Sequence, residues 1–219
     1  MPPDQPHPEI EWQDEVPVAT AFADPYYSLK GGLAETRHVF LDGNELPGRL
    51  RDGFHVAELG FGTGLNALAL ALSWDGPGEI RFTSFEAFLL SVDDLRRAHR
   101  AFPEVADLSE ALCAQWGEAS IALPQVRVDL IRGDAAKTLP LWDGCADAWF
   151  LDGFAPSRNP GLWTPEILRA VGDHTPRGGT FATYTAAGHV RRSLDAAGFD
   201  VTRGAGFAGK RHMTTGTKR

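Results

Sequence analysis

The sequence predicts an open, doubly wound α/β sheet, mostly parallel, with an antiparallel strand pair at its end and an N-terminal extension before it. Three observations predict it. Short apolar runs alternate with segments of helical spacing from about residue 54 onward. A turn with three glycines joins the first such run to the first helix. The run 146–151 is nearly all apolar, as a central parallel strand covered on both faces must be.

The elements follow in order. Residues 1–8 are rich in proline and are expected to form a disordered leader. Residues 9–50 hold Trp12, Phe22, Tyr26, Tyr27 and Phe40. They are too aromatic for a linker and are expected to pack over one edge of the sheet. Residues 51–219 form the core. Phe54 to Leu59 reads as its first strand, and Leu65 to Trp74 as a largely buried helix, apolar on nearly every face. Asp75-Gly76-Pro77-Gly78 breaks that helix from a second strand, Ile80 to Phe85. Helical spacing runs from Val92 to Phe102 and is stopped at Pro103. Val126 to Ile131 is the third strand and Ala146 to Leu151 the fourth. Pro165 opens a helix that ends before Pro176. Thr180 to Thr185 is the fifth strand, and Val190 to Ala197 a helix with Gly198 as its C-cap. The last stretch of about twenty residues reads as the closing strand pair.

Composition bounds the function. A chain of 219 residues, 43% hydrophobic and 23% charged, suits one globular domain and excludes a disordered or collagen-like one. It has no apolar run of about 18 residues, so no membrane span is expected. Met-Pro-Pro-Asp-Gln-Pro has neither a basic nor an apolar leader region, so no secretory signal is expected. Cys113 and Cys145 lack metal or redox spacing, which suits a reducing cytosol, and the seven histidines show no metal spacing either. The net charge of −8 argues at first against a nucleic-acid partner. Its distribution reverses that: residues 177–219 carry +6, including Arg191, Arg192, Lys210 and Arg211, and leave −14 on the rest.

The glycine turn runs Glu58-Leu59-Gly60-Phe61-Gly62-Thr63-Gly64-Leu65-Asn66. Glycine permits positive φ and close approach of a ligand to the backbone. Dinucleotide sites use a different glycine spacing and hold a pyrophosphate. Here Glu58 beside the turn opposes phosphate and suits an ammonium-bearing ligand such as S-adenosylmethionine (AdoMet), which disfavours a nicotinamide enzyme. Further acids follow the later strands: Glu86 after the second, Asp134 after the third, and Asp152 after the fourth. Each alone is an ordinary cap or turn residue. Together with Glu58 they line the carboxyl rim, where α/β sheets bind ligands.

This motif order matches the class I AdoMet-dependent methyltransferases, which share a Rossmann-like fold. More narrowly, the chain resembles the family that methylates the wobble uridine of certain tRNAs, the MnmD enzymes and the methyltransferase half of the bifunctional MnmC. The resemblance runs from about Trp12 to Met213. It is carried by Asp24-Pro25-Tyr26-Tyr27-Ser28, Gly32 to Phe40, Glu58 to Asn66, Asp147 to Pro156, Asn159-Pro160, Leu162-Trp163, Gly178-Gly179-Thr180 and Gly209-Lys210-Arg211. It implies that Gly60, Gly62 and Gly64 hold the methionine part of AdoMet, with Glu58 and Asn66 beside them. Glu86 would bind the ribose, Asp134 the adenine, and Tyr27 would cover the cofactor. Asp152 would sit beside the methyl group and take the proton of a 5-aminomethyl side chain on uridine. Phe154 and Pro156 would line the base pocket of a tRNA anticodon stem-loop, with Arg158, Lys210 and Arg211 near phosphate. The product would be 5-methylaminomethyl-2-thiouridine. No flavin-binding half is expected, so the oxidase step would belong elsewhere.

Three departures stand out. Glu86 is followed by Ala87-Phe88-Leu89-Leu90, where family members carry Lys and, two positions on, Pro. The stretch between Trp116 and Val126 is short, which would remove a hairpin near the adenine side. The late glycine pattern reads Gly206-Phe207-Ala208. Two other classes remain open: an AdoMet methyltransferase of another nucleotide or small amine, and a non-catalytic module of the same fold that binds RNA.

Overall fold

A computed structural model describes residues 7–219. The expected leader thus lies outside the described residues as far as residue 6, while His7 is tied down by a hydrogen bond from its Nδ1 to the Leu89 carbonyl at 2.9 Å.

Strands β1 (Ile10–Gln13), β2 (Val16–Ala19) and β3 (Asp24–Pro25) form a small antiparallel sheet of their own. Helix α1 (Gly32–Thr36) follows and continues as a wider turn through Arg37–Leu41. This extension was expected over an edge of the main sheet. It instead covers a face: Phe40, Leu41, Leu46 and Leu50 are buried in the same core as Val56, Phe82 and Phe150. The Phe40 and Phe150 rings lie 5.4 Å apart. Four large apolar side chains within eleven residues are too many for an edge, and a face gives them more area to bury.

The main sheet has eight strands. Its five parallel strands were all expected within a residue or two, among them β4 (His55–Leu59), β5 (Ile80–Glu86), β7 (Val126–Arg132) and β8 (Ala148–Leu151). With β9 (Thr180–Thr183) they make the parallel centre. Strands β10 (Phe199–Ala205) and β11 (His212–Lys218) form the closing pair, with β11 antiparallel to β9. At the opposite edge β6 (Ser120–Leu123) pairs antiparallel with β7. The hairpin expected to be missing is therefore present. Its tight turn is made by Pro124 and by Gln125, whose φ is +58°, so the short stretch needs no extra length.

Helices α2 (Leu65–Ser73), α3 (Val92–His99), α4 (Ala106–Ala114), α5 (Ala135–Thr138), α6 (Pro165–Asp173) and α7 (Gly188–Ala196) cover the two faces. Helix α4 has no counterpart in the sequence reading. Helix α3 ends at His99, three residues short of the expected Phe102, and Pro103 opens the turn that leads into α4, the first-turn position proline favours. Gly198 ends α7 with φ +95°, the left-handed cap that glycine supplies. No helix among the described residues is long and apolar enough to cross a membrane.

The spatial order is β10-β11-β9-β8-β4-β5-β7-β6. The chain runs outward from β4 through β5 to β7, then returns to lay β8 on the other side of β4. The boundary between β4 and β8 is the switch point, where the loops leaving adjacent strands diverge and open a crevice. A Cβ built on Gly60 would lie 3.2 Å from the Gly153 Cα, so the two loops touch at the floor of that crevice.

Candidate active site

The crevice is the mouth of a cavity of about 1130 Å³. That exceeds the roughly 300–1,000 Å³ of a site for one small ligand, and leaves room for two. Among the described residues its wall carries six carboxylates, on Glu9, Asp24, Glu35, Glu86, Asp134 and Asp152, against one lysine, Lys210. Such a lining attracts a cation and repels a pyrophosphate.

The glycine turn forms one side. Gly60, Gly62 and Gly64 all have positive φ, at +82°, +54° and +75°, which is why glycine recurs at alternate positions. Gly60 and Gly62 reach the cavity wall, whereas Gly64 stands behind it and caps α2. The Thr63 carbonyl accepts from His99 Nε2 at 2.8 Å, and His99 Nδ1 accepts from the Ser109 hydroxyl at 2.7 Å. A carbonyl can only accept, so Nε2 carries the proton. Burial holds the His99 pKa below its ordinary value, which favours this neutral ring. His99 thereby pins the turn from behind.

Glu86 ends β5 and faces the turn. One oxygen accepts the Gly62 N–H at 3.0 Å and the other the Phe88 N–H at 2.7 Å. Burial raises its pKa, and these backbone donors oppose the rise. Each oxygen keeps a lone pair for a hydroxyl donor. Ala87 and Phe88, where the family pattern departs, also border the cavity. Asp134 is exposed on the wall and caps α5 through the Ala136 N–H at 3.0 Å. It is both a cap and a wall residue.

Glu58 sits elsewhere than expected. It is fully buried and absent from the cavity wall, with Asn66 Nδ2 donating to one oxygen at 2.8 Å and Ser84 Oγ to the other at 2.7 Å. Burial first, and Asp152 next, raise its pKa well above the usual range. The wall residue is Asn66. Its amide also donates to Asp152 Oδ2 at 2.8 Å, and its carbonyl oxygen accepts from Thr36 Oγ1 at 2.8 Å. One amide therefore spaces two carboxylates that would otherwise repel each other.

Asp152 follows β8 at the switch point. Its Oδ1 accepts the Gly153 N–H at 2.8 Å. Removal from water pushes its pKa up to about 7, helped by Glu35 and opposed by Gly153, Asn66 and Lys210. A partly exposed carboxylate titrating near neutrality is a stronger base than an ordinary aspartate.

Aromatic rings make the outer part. Phe154 stacks on Phe22 with centroids 4.6 Å apart and meets Tyr26 edge-on at 5.1 Å. Tyr26 lies over Gly62, and burial raises its pKa. Tyr27 borders the cavity with its ring, while its hydroxyl points away to the carbonyls of Glu15 at 2.7 Å and Ala98 at 3.0 Å. Pro156, Arg158 and Arg211 lie off the wall. Lys210 is on it, half-exposed, and donates to Glu35 at 2.8 Å. Arg219, at the far end of the basic segment, pairs with that segment's own two acids, Asp195 at 3.0 Å and Asp200 at 3.1 Å.

Asp24, Glu35 and Tyr184 are wall residues that the sequence reading left unassigned. Asp24 accepts the Ala155 N–H at 2.8 Å and so docks the extension onto the loop after β8. Asp24 and Glu35 stand inside motifs already singled out, which was the available signal. Tyr184 carries no such mark.

A model of the S-adenosyl-L-methionine-dependent methyltransferase family matches residues 103–219. The tRNA 5-methylaminomethyl-2-thiouridine biosynthesis bifunctional protein MnmC of Methylobacillus flagellatus is 42% identical over 222 residues, covering 94% of this chain and 34% of its own length. The protein of that name from Caulobacter vibrioides is 42% identical over 224 residues, covering 96% and 38%. The chain thus spans about a third of the length of these curated relatives. The crystal structure of MNMC2 from Aquifex aeolicus superposes with a TM-score of 0.81 at 24% identity, covering 98% of this chain and 72% of that one. TrmN from Thermus thermophilus gives 0.53 at 19%, covering 90% and 54%.

Proposed function

The chain belongs to the S-adenosyl-L-methionine-dependent methyltransferase family, and from that premise we propose that it methylates the primary amine of a 5-aminomethyl side chain on the wobble uridine of tRNA. The product is 5-methylaminomethyl-2-thiouridine. The 42% identity to two MnmC proteins across nearly the whole chain supports this substrate. The observation that carries the chemistry is Asp152, a carboxylate titrating near 7 at the mouth of an acid-lined cavity.

The donor set fits AdoMet, which supplies when bound an electrophilic methyl group on a sulfonium. Gly60 and Gly62 leave room for the ligand against the backbone, because a Cβ on either would press on Gly153 or Tyr26. Glu86 has free lone pairs for the ribose hydroxyls and Asp134 one for the adenine amino group. Glu58 acts at one remove, by orienting Asn66. Tyr27 closes the same side with its ring.

On the substrate side Phe154, stacked on Phe22 and met edge-on by Tyr26, belongs to an aromatic cluster that takes one splayed base of the anticodon stem-loop. Asp152 takes the proton that an alkylammonium must lose before its nitrogen has a lone pair. Alignment by Asn66 and the Gly153 N–H contributes more than basicity, since a rigidly held base needs no reorganisation. Pro156, Arg158 and Arg211, off the wall, serve the flanking nucleotides and phosphates. A cytoplasmic site of action fits the two free cysteines, Cys113 and Cys145.

Labelled AdoMet and tRNA carrying the 5-aminomethyl group test the proposal, with nucleoside mass analysis as the readout. Label is expected on the wobble uridine. Label on another nucleoside or on a small amine alone would overturn the substrate and leave the family untouched.

A further inference from the structure

Lys210 is half-exposed, yet its ammonium is tied to the cavity wall. Its Nζ donates to Glu35 at 2.8 Å and lies 4.6 Å from the centroid of the Tyr184 ring. The Glu35 side chain is only 12% exposed, so the partner that holds the ammonium is itself fixed in the wall. The Tyr184 hydroxyl donates to the Gly153 carbonyl at 2.7 Å, which ties the ring under Lys210 to the loop that bears Asp152. Glu35 from α1, Asp24 from β3, Asp152 after β8 and Tyr184 after β9 line the same wall as this ammonium. His38, on the turn after α1, points instead to the Ala205 carbonyl at 2.9 Å.

A site with six carboxylates recruits an ammonium well and then holds it in the wrong state. Each nearby carboxylate favours the charged form, and an ammonium has no lone pair with which to attack. Among the described residues Lys210 is the one lysine or arginine on the wall, and its charge disfavours a second positive charge beside it. We infer that Lys210, held by Glu35 and Tyr184, sets the protonation state of the substrate amine and keeps it neutral beside Asp152. This rests on the reaction proposed above. The proton released from the amine goes to Asp152, and no other reactant is required. The Lys210 charge also counts among the influences that hold the Asp152 pKa down, so it is felt where the amine arrives.

The test is the pH dependence of single-turnover methyl transfer, with chain and AdoMet saturating over tRNA that carries a 5-aminomethyl wobble uridine. In Lys210→Met the acidic limb is expected to move up by about one pH unit, with a loss of about tenfold in rate near neutrality. Lys210→Arg is expected to bring the limb back, because it restores the charge. An unshifted limb in Lys210→Met, with weaker tRNA binding and a flatter salt dependence, would make Lys210 a phosphate contact and end the inference. A limb displaced equally in Lys210→Arg would also count against it, since charge is the claim. Absence of transfer by the unaltered chain would remove the functional reading and this one with it, whereas transfer with an unshifted limb removes this one alone.

Discussion

Replacing Asp152 by Asn is expected to stabilise the protein above neutral pH while removing its turnover. The folded carboxyl titrates at about 7 against an ordinary value of 3.8, and desolvation is the main cause. Between those values the folded chain holds a proton that the unfolded chain has released. Stability therefore falls as pH rises through this window, by about 1.4 kcal/mol per unit for this one group. Three units give roughly 4 kcal/mol as an upper figure, which partial exposure of Asp152 reduces. Asparagine has no such titration, but it offers one acceptor oxygen where aspartate offers two. Either the Gly153 N–H or the Asn66 amide then loses its partner, at about 1–2 kcal/mol. The variant should be about 2 kcal/mol more stable than the parent near pH 8 and about 1 kcal/mol less stable near pH 4. Urea unfolding across that range measures the difference. Methyl transfer should fall by about 10²-fold or more at every pH. A stability difference that does not vary with pH would refute the reasoning, because the raised pKa would then not reside in the folded state.

Asn66→Leu removes the amide shared by Glu58 and Asp152, and should lower stability by about 2–4 kcal/mol, with weaker AdoMet binding seen by calorimetry. His55 gives the opposite pH trend to Asp152. Burial lowers its pKa to about 4 from 6.5, so the unfolded chain takes up a proton first and stability falls as pH drops through that window, by at most about 3 kcal/mol. His55→Leu should flatten the acid side of the stability curve in the same urea titration. Gly62→Ala places a Cβ 3.2 Å from the Tyr26 ring at φ +54°, and should weaken AdoMet binding about tenfold while costing about 1–2 kcal/mol. Affinity for tRNA should fall steeply with salt, and Arg211→Gln should reduce the slope of log affinity against log salt by about one.

Much of the fold was legible because periodicity reports burial directly. The apolar run through Trp149 and Phe150 could only be a strand covered on both faces, and both residues are fully buried. The turn from Gly60 to Gly64 was legible for a related reason, since three left-handed positions in a row exclude most other residues. Helix α4 and strand β6 were missed because their apolar residues are sparse, with only Ser109, Leu112 and Cys113 of α4 and Ile121 and Leu123 of β6 buried. The extension was misplaced because aromatic content says that a segment is buried but not against which surface.

The sequence by itself determined the class of fold, the rim on which the acids stand and the family to which the chain belongs. The fold follows from strand and helix spacing, the rim from an acid near the end of each strand, and the family from the resemblance carried by motifs between Asp24 and Arg211. The tertiary structure alone decided what each acid does. Glu58 and Asp152 look alike in the text, each placed at the end of a parallel strand. In the folded chain Ser84 and Asn66 seal Glu58 into the core, while Asp152 keeps a face toward the cavity with its pKa near 7. Lys210 likewise reads as a plain surface cation; it stays half-exposed, but Glu35, 175 residues away, ties it to the wall. Charge and protonation depend on distance and burial, and neither is set until remote segments meet.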